Sequence, residues 1–589
     1  MTEPVLSIRN LSVVLSRDGR SNRVLDGISF DAAHGEIIAL VGESGSGKST
    51  IGLALQGLLP RESQPQVSGS ICLDGTEIVG ASQKLLRGAR RSLVRAVSQD
   101  PMSALDPTMT IARQMQESID GPAPITDWLK RTGLHDPERI AASFPHLLSG
   151  GQRQRVLIAM AMMASPKLLI ADEPTTALDV TIQAQILDLL RTLAREQQTA
   201  IVFVTHDLSV AASLADRVIV LYAGRIAEIG AIRNVIANPA HPYTAGLLSA
   251  RFDFSSDRSR PLATLPIERG QRVDTGSACA YSWRCPLADG ECRTVRPSLR
   301  SIDQHDGSTA CHHPARTPLA SRRDVAAPWP RPDILPTGVA LELFNVSKSF
   351  ASGTGPLWGK RQEKRVLQSV NLSIRRGECV ALVGESGSGK STILRIAAGL
   401  LAPSSGDVSR VDNVPPQVVF QDAVSALTPW LTIGEQIGER LRPLRLSAGE
   451  RRERVGAALT MVGLDPALMT ALPSELSGGQ CQRAMVARAV VVPPKLLLCD
   501  EPISAMDVSL AATTLNLLGD LRRRLGMAMM FVTHDLAAAR IIADRIAVLQ
   551  NGELVEVGDV DAVIAAPQAA YTRRLIAAMP TLHLEPAHD

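Results

Sequence analysis

Two segments of identical sequence could bind the phosphates of a nucleotide. GESGSGKST occupies 42–50 and again 384–392, each time after a short apolar run and before a helix-length stretch. That strand–loop–helix context is the one the P-loop pattern requires, because its glycines let backbone N–H groups and a helix N-terminus face the anion. The expected phosphate-binding residues are Gly42, Ser44, Gly45, Gly47, Lys48, Ser49 and Thr50 in the first copy, and Gly384, Ser386, Gly387, Gly389, Lys390, Ser391 and Thr392 in the second. The lysines would reach the β- and γ-phosphates, and Ser49 and Ser391 would ligate Mg²⁺.

An acidic pair follows a second apolar run in each copy. LLIADE ends in Asp172–Glu173, and LLLCDE ends in Asp500–Glu501. An aspartate at a strand end can hold the Mg²⁺ shell, so Asp172 and Asp500 are expected there. Because neighbours on a strand point to opposite faces, the glutamate reaches the γ-phosphate only if the chain turns at this point. Glu173 and Glu501 are then the expected catalytic residues, which polarise the attacking water.

The chain is a duplication, and the two copies differ in length. GESGSGKST returns after 342 positions, whereas LSGGQ at 148–152 returns at 476–480, 328 positions later. FVTHDL at 203–208 also returns after 328 positions. The second copy is therefore shorter between the first two motifs, where surface loops accept insertions. Short apolar runs alternate with helix-length stretches in both copies, which predicts an α/β fold with buried parallel strands.

Composition places the chain among ordinary globular proteins. Its 589 residues are 45 % hydrophobic and 21 % charged, with a formal charge of +3. This near balance gives no reason to expect a nucleic-acid partner. No apolar run approaches the roughly 20 residues that span a bilayer, and the start MTEPVLSIRN has no export signal. Eight cysteines are too sparse for a disulfide scaffold, which favours the reducing cytosol.

With these motifs the chain resembles the ATP-binding-cassette ATPases, and the resemblance covers both copies nearly end to end. LSGGQ is the most specific mark of that family. The resemblance implies, for each cassette, a P-loop NTPase fold with a RecA-like core, a helical subdomain and an antiparallel β subdomain. It further implies signature residues Ser149, Gly150, Gly151, Gln152, Ser477, Gly478, Gly479 and Gln480, Q-loop residues Gln99 and Gln421 that also contact Mg²⁺, D-loop residues Asp179 and Asp507, and catalytic switch histidines His206 and His534.

In that family two cassettes enclose two ATP molecules, each between one P-loop and the opposite signature. The first site would join Lys48 and Glu173 to Ser477 and Gly479, and the second would join Lys390 and Glu501 to Ser149 and Gly151. Since every element is present twice, both sites are expected to hydrolyse ATP. The family often stacks adenine on an aromatic residue, and Phe350 fits that place in the second copy. The aligned Leu15 cannot stack, and Phe350 could also be an ordinary apolar residue at a strand end.

Two further segments resemble ATPases of oligopeptide, dipeptide and nickel importers. They are ANPAHPYTAGLLSA at 237–250 and SQDPMSALDPTMTI at 98–111; AAPQAAYTRRLIAA at 565–578 retains only Tyr-Thr of the first. The resemblance implies two integral-membrane permease subunits, an extracytoplasmic solute-binding protein and a peripheral place at the cytoplasmic face of the inner membrane. Dipeptides, longer peptides, glutathione and nickel chelates remain open as cargo. The alternative is a soluble tandem-cassette ATPase that acts on ribosomes or DNA.

Four cysteines cluster between the copies with the spacing C-x5-C-x6-C-x18-C. They are Cys279, Cys285, Cys292 and Cys311, whereas Cys72, Cys379, Cys481 and Cys499 are scattered. Cytosolic thiols in a loop-rich segment favour a metal site over disulfides, and structural zinc normally uses tighter pairs. The segment resembles the cysteine-bearing extension of peptide-importer ATPases, which favours a [4Fe–4S] cluster, with zinc as the alternative and unmetallated thiols third. His312 and His313 could substitute as ligands, but a solvated pair is the favoured interpretation.

The pattern divides the chain into five segments. We expect cassette 1 at 1–250, an extension with the four-cysteine module at 251–314, a Pro-rich linker at 315–338, cassette 2 at 339–580 and a tail at 581–589.

Overall fold

A computed structural model describes most of the chain. The described residues are 3–17, 19–175, 178–266, 276–302, 305–314, 327–329, 338–352, 362–411, 414–504 and 506–579. The strands of the first half are β1 Leu6–Arg17, β2 Arg20–Ala32, β3 Ile37–Val41, β4 Gln66–Leu73, β5 Thr76–Glu77, β6 Val94–Val97, β7 Leu168–Asp172, β8 Ala200–Thr205, β9 Arg217–Tyr222, β10 Arg225–Ala231, β11 Arg300–Ile302 and β12 His305–Thr309. Its helices are α1 Lys48–Leu55, α2 Gln83–Ser92, α3 Pro101–Ala104, α4 Ile111–Glu117, α5 Ile125–Arg131, α6 Pro137–Ala142, α7 Gly150–Met162, α8 Val180–Gln197, α9 Leu208–Leu214, α10 Ile232–Ala237, α11 Pro242–Ala250 and α12 Gly290–Thr294.

The second half follows a similar order with fewer elements. Its strands are β13 Val339–Ser352, β14 Gln362–Arg375, β15 Cys379–Val383, β16 Ser405–Arg410, β17 Gln417–Val419, β18 Leu496–Asp500, β19 Ala528–Thr533, β20 Arg545–Gln550 and β21 Glu553–Asp559. Its helices are α13 Lys390–Ala398, α14 Ala423–Ala426, α15 Ile433–Gly438, α16 Ala448–Met461, α17 Gly478–Val490, α18 Val508–Leu525, α19 Leu536–Ile542, α20 Val560–Ala565 and α21 Ala570–Ala577.

Each half is built around one mixed sheet. The strand order is β11-β12-β10-β9-β3-β8-β7-β6 in the first half and β17-β18-β19-β15-β20-β21 in the second. The run β9-β3-β8-β7-β6 and the run β20-β15-β19-β18-β17 pair in parallel. β10, β12 and β11 in the first sheet and β21 in the second are antiparallel to their neighbours. β3 and β15, which precede the two P-loops, are buried at every position because the sheets are covered on both faces. Separate antiparallel sheets, β2-β1-β4-β5 and β14-β13-β16, complete the two cassettes.

The largest difference in length between the copies lies between β4 and β6. In the first half 21 positions separate the end of β4 at 73 from the start of β6 at 94, and they carry β5 and α2. In the second half only 7 positions separate the end of β16 at 410 from the start of β17 at 417. The second copy is thus 14 residues shorter here. It is also 5 residues shorter between the P-loop and the end of β16 and 5 residues longer between the start of β17 and the signature, so the net displacement falls from 342 to 328.

After α11 the chain crosses from the first cassette to the second. We call residues 251–266 the strap. The N–H of Leu262 donates to Oδ1 of Asn516 on α18, and Nδ2 of Asn516 donates to the Leu262 carbonyl, each at 2.8 Å. Arg258 donates to the Ala543 carbonyl at 2.6 Å and pairs with Asp561 at 3.0 Å. The chain then returns to the first cassette, where β12 adds to the edge of β10.

Candidate functional site

The two P-loops have the same internal geometry. Nζ of Lys48 donates to the carbonyl oxygens of Gly42 at 2.7 Å and of Glu43 at 3.0 Å. Nζ of Lys390 donates to the equivalent carbonyls, of Gly384 at 2.6 Å and of Glu385 at 3.0 Å. Burial lowers the pKa of both lysines, although nearby carboxylates oppose the shift. Each ammonium group therefore lies inside its loop, where a phosphate would meet it.

Glycine is required immediately before each lysine. Gly47 has φ 103 and Gly389 has φ 112, in the left-handed region that other residues rarely adopt. A Cβ at Gly47 would lie 2.6 Å from Cδ2 of Leu25, and one at Gly389 would lie 2.7 Å from Cδ2 of Leu367. The remaining predicted phosphate-binding residues lie in the same loops and first helical turns: Ser44, Gly45, Thr50, Ser386, Gly387 and Thr392.

The predicted Mg²⁺ ligands lie together in both copies. Oγ of Ser49 donates to Oδ1 of Asp172 at 3.3 Å, and Oγ of Ser391 donates to Oδ1 of Asp500 at 3.5 Å. Burial raises the pKa of both aspartates. A hydroxyl in the first turn of a helix and a carboxylate at the end of a strand are oxygen donors of the kind that Mg²⁺ prefers.

The chain turns sharply after both aspartates. Glu173 and Glu501 each have φ 46, an uncommon conformation for a residue other than glycine. Their N–H groups donate to the carbonyls of Val204 and Val532 in the neighbouring strands, each at 3.0 Å. If the strand continued, alternation would point the glutamate side chain to the face opposite the aspartate. The turn redirects it, as the role expected from the sequence requires.

The two switch histidines contact these glutamates. Nδ1 of His206 lies 3.3 Å from Oε1 of Glu173, and Nδ1 of His534 lies 3.3 Å from Oε2 of Glu501. Burial lowers the pKa of each imidazole, but the facing carboxylate outweighs it and leaves the pKa raised. For Glu501, burial raises the pKa and the His534 contact lowers it, with a net decrease.

The Q-loop glutamines lie at the same centre. Nε2 of Gln99 donates to Oε2 of Glu173 at 3.0 Å. Gln421 lines a cavity of about 780 Å³ between the cassettes, together with Glu173 and both switch histidines. The structure thus brings residues of the first and second cassettes to one shared space.

The signature segments form helix starts. Ser149 caps α7 and Ser477 caps α17, each in a reciprocal capping box with Gln152 or Gln480. The glycines Gly150 and Gly478 begin these helices. A Cβ at Gly151 would lie 3.0 Å from Ile182, and one at Gly479 would lie 2.9 Å from Leu510, so each signature packs closely on the helix that follows its D-loop.

The D-loops meet the opposite P-loops. Asp507 caps α18 through Oδ1, and its Oδ2 accepts a hydrogen bond from the N–H of Ser44 at 3.4 Å. Asp179 caps α8 in the same way. In the first D-loop helix, Oγ1 of Thr181 donates to Asp179 at 2.8 Å and to Oε1 of Glu385 at 3.4 Å.

The predicted adenine contact is accessible in the second cassette. Phe350 is 40 % exposed on β13, with Nζ of Lys348 at 5.2 Å from its ring centroid. Leu15 occupies the corresponding strand β1 and is partly buried against the core.

Sequence reasoning missed one contact of the P-loops. The hydroxyl of Tyr243 on α11 accepts a hydrogen bond from the N–H of Glu43 at 2.8 Å, and Tyr571 on α21 does the same for Glu385 at 2.9 Å. The sequence signal for this contact is the Tyr-Thr pair that is present in both copies. These tyrosines tie the segment after each cassette to its phosphate loop.

The four clustered cysteines converge. Cys279, Cys285, Cys292 and Cys311 line one small cavity. Burial raises the pKa of Cys279 and Cys292, and it raises that of Cys311 to about 11.

The interpretation of His312 and His313 as a solvated pair is wrong. Their side chains are only 5 % and 17 % exposed. His312 lies 3.3 Å from Glu291 and His313 lies 2.7 Å from Asp289. His313, Asp289 and Cys292 place their donor atoms within 4.8 Å of one another, so a nitrogen and an oxygen donor adjoin the Cys292 thiol.

Comparison with known proteins identifies the family. A model described as ABC transporter matches residues 25–176 and 367–504, and one described as Oligopeptide/dipeptide transporter, C-terminal region matches 227–292 and 555–587. Oligopeptide transport ATP-binding protein OppD of Mycobacterium tuberculosis is 38 % identical, over 98 % of both chains.

Other relatives cover the chain to the same extent. Peptidoglycan transport ATP-binding protein YejF of Agrobacterium fabrum is 36 % identical over 98 % of this chain and 96 % of that one. Glutathione import ATP-binding protein GsiA of Escherichia coli K12 is 35 % identical over 98 % of this chain and 89 % of that one. None of the helices in the described part of the chain is long and apolar enough to span a membrane. The chain belongs to the ABC transporter ATPases and carries two cassettes of that family in tandem.

Proposed function

We propose that this chain is the ATP-hydrolysing subunit of an importer for peptides or similar small solutes, with two ATP sites between its cassettes. The proposal rests on two contacts between the cassettes, one from each P-loop to the opposite D-loop region. Ser44 of the first P-loop contacts Asp507 of the second D-loop, and Glu385 of the second P-loop contacts Thr181 beside the first D-loop. A nucleotide on either P-loop would therefore face the opposite cassette.

Within each site, different residues would bind the phosphates, hold Mg²⁺ and contact the γ-phosphate from the opposite cassette. The P-loop amides, with Lys48 or Lys390, would bind the β- and γ-phosphates. Ser49, Asp172 and Gln99 would hold Mg²⁺ in the first site, and Ser391, Asp500 and Gln421 in the second. When bound, Mg²⁺ neutralises phosphate charge. Ser477 with Gly479, or Ser149 with Gly151, would contact the γ-phosphate from the opposite cassette.

The glutamate–histidine pairs would carry the chemistry. The turned carboxylates of Glu173 and Glu501 are the bases that orient and polarise the attacking water. His206 and His534 would hold these carboxylates in place through the contacts at 3.3 Å. Phe350 would stack on adenine in the second site, whereas Leu15 would only pack against it in the first.

The importer assignment rests on the segments after the cassettes and on the relatives. The matched relatives are named for oligopeptide, peptidoglycan and glutathione transport. We therefore propose two integral-membrane permease subunits, an extracytoplasmic solute-binding protein and a peripheral place at the cytoplasmic face of the inner membrane. ATP binding would close the cassettes and hydrolysis would reopen them.

The test is purification of the tagged chain from detergent-solubilised membranes. We expect two multi-span subunits to co-purify and the solute-binding protein to stimulate ATP hydrolysis when these are reconstituted. Co-sedimentation with ribosomes or DNA, without any membrane subunit, would contradict the proposal and favour the soluble alternative.

The cysteine cavity suits a metal centre. Four thiols with the neighbouring His313 and Asp289 offer a donor set for a [4Fe–4S] cluster, and zinc is the alternative. We propose Cys279, Cys285, Cys292 and Cys311 as the cluster ligands, with a structural role. We also propose the division of the chain into cassette 1 at 1–250, the extension at 251–314, the linker at 315–338, cassette 2 at 339–580 and the tail at 581–589.

A further inference from the structure

The two P-loop glutamates, Glu43 and Glu385, occupy equivalent positions but have different partners. Arg284 forms two parallel hydrogen bonds to the carboxylate of Glu43, with Nη1 at 2.6 Å from Oε2 and Nη2 at 2.9 Å from Oε1. Oε1 of Glu385 instead accepts a hydrogen bond from Thr181 of the other cassette at 3.4 Å. Among the described residues, no guanidinium group lies within ion-pair distance of Glu385. The two phosphate loops are thus held differently.

Arg284 is itself firmly held. Its side chain is 8 % exposed, and its Nε donates to the carbonyl of Pro266 at 2.6 Å. Its guanidinium carbon lies 5.8 Å from the ring centroid of Tyr222 and 5.9 Å from that of Tyr281. Because a guanidinium fork is planar and rigid, a bidentate pair fixes orientation as well as charge. The arginine directly precedes Cys285, which lines the cysteine cavity.

Glu43 connects Arg284 to the phosphate site. The N–H of Glu43 donates to the hydroxyl of Tyr243, and its carbonyl accepts a hydrogen bond from Lys48. The N–H of Ser46 also donates to this carbonyl at 3.1 Å. Four different residues thus hold the backbone and side chain of Glu43, and one of them is the phosphate-binding lysine. A change in the position of the Glu43 carboxylate would therefore move the peptide that Lys48 contacts.

We propose that Arg284 is a positioning residue of the first ATP site, which acts through Glu43 on the P-loop around Lys48. This inference rests on the ATP sites proposed above. It makes ATP affinity at the first site depend on the cysteine-bearing segment, whereas the second site lacks this dependence. The two ATP sites then differ in what their ATP affinity depends on, although they contain the same types of catalytic residue.

The test measures the two sites in the same molecules. The full-length protein is photolabelled with 8-azido-ATP over a range of concentrations, and peptide mapping gives an apparent dissociation constant for each cassette. The variants are Arg284→Met, Arg284→Lys and Glu43→Gln. Glu385→Gln is the matched comparison, because it removes the equivalent carboxylate, which no arginine of the described segments faces.

The expected result is selective. Arg284→Met weakens labelling of the first cassette by about tenfold and leaves the second within about twofold, the scale of a lost charged hydrogen bond. Arg284→Lys weakens labelling of the first cassette less than Arg284→Met does, because lysine keeps the positive charge but cannot form the two parallel hydrogen bonds of a guanidinium group. Glu43→Gln has the effect of Arg284→Met, and the double variant is no weaker than either. Glu385→Gln changes its own site less than Glu43→Gln changes the first.

Two results would overturn the inference. One is unchanged labelling in Arg284→Met and Glu43→Gln, and the other is equal weakening of both cassettes, which would indicate general damage to the fold. If Arg284→Met does not fold, Arg284→Lys and Glu43→Gln decide in the same way. Failure of the wild-type protein to label on either P-loop would instead contradict the proposed ATP sites themselves.

Discussion

The backbone N–H of Ser44 in the first P-loop lies 3.4 Å from Oδ2 of Asp507 in the second cassette. The same carboxylate caps α18 through its other oxygen. Asp507 therefore joins the start of a helix in one cassette to the phosphate loop of the other. Through this contact, nucleotide bound at the first P-loop can influence the position of α18 in the opposite cassette.

We predict that Asp507→Ala lowers ATP turnover by about three- to tenfold, because it removes the contact with Ser44 and the helix cap. Asp507→Asn separates the two losses, since asparagine is also a good N-cap residue. It should retain the thermal stability of the wild type and still lose turnover, as measured by phosphate release. Equal turnover of Asp507→Asn and the wild type would show that the negative charge is not needed.

From the contacts of the strap with the second cassette, we predict that the two cassettes remain associated when the linker is cut. A protease site placed within 315–326 leaves residues 251–266 on the first cassette. After cleavage the halves should co-elute in gel filtration. Asn516→Ala removes both hydrogen bonds to Leu262 and should weaken their association by about tenfold.

The control for the strap is Asn371→Ala. Asn371 makes its amide hydrogen bonds inside the second cassette, to Asn345 and Ser369. This variant should leave the association of the halves unchanged. If both variants weaken the association equally, the strap is not the specific link between the cassettes.

Because His241 is buried, we predict that the protein loses stability in acid. Burial lowers its pKa from the ordinary 6.5 to about 4, and its Nδ1 accepts a hydrogen bond from the N–H of Tyr243. Because the unfolded state binds a proton first, the stabilisation present above pH 6.5 is lost as the pH falls through about 4. At about pH 5.5 the loss is about 1.4 kcal/mol of the unfolding free energy of this region.

His241→Asn should remove this pH dependence while keeping an N-cap. The measurement compares unfolding in denaturant at about pH 7.5 and pH 5.5. His34→Asn, at an exposed histidine, is the control and should behave as the wild type does. An unchanged pH dependence in His241→Asn would exclude this histidine as its source.

The cysteine cavity predicts a brown protein. When purified without air, it should absorb at about 400 nm and contain iron and sulfide in equal amounts. Cys285→Ser should lose this absorption, whereas Cys72→Ser, outside the cavity, should keep it. A colourless wild-type protein with one zinc ion per chain would exclude the cluster.

The sequence predicts those features that rest on local patterns. The P-loops, the apolar strands and the turn at Glu173 follow from motifs and from the alternation of side chains along a strand. Arg284 carries no such pattern, because its partner Glu43 lies 241 positions away and the second copy has no equivalent pair among the described residues. The burial of His312 likewise depends on tertiary packing, which two adjacent histidines do not reveal.

The central claim is that both ATP sites hydrolyse ATP, and single substitutions of the two glutamates test it most directly. Glu173→Gln and Glu501→Gln remove one carboxylate each and keep the size of the side chain. We predict that each variant still binds ATP and that its steady-state ATPase activity falls by at least about tenfold, within the range of general base catalysis. Full activity retained by either variant would contradict the account.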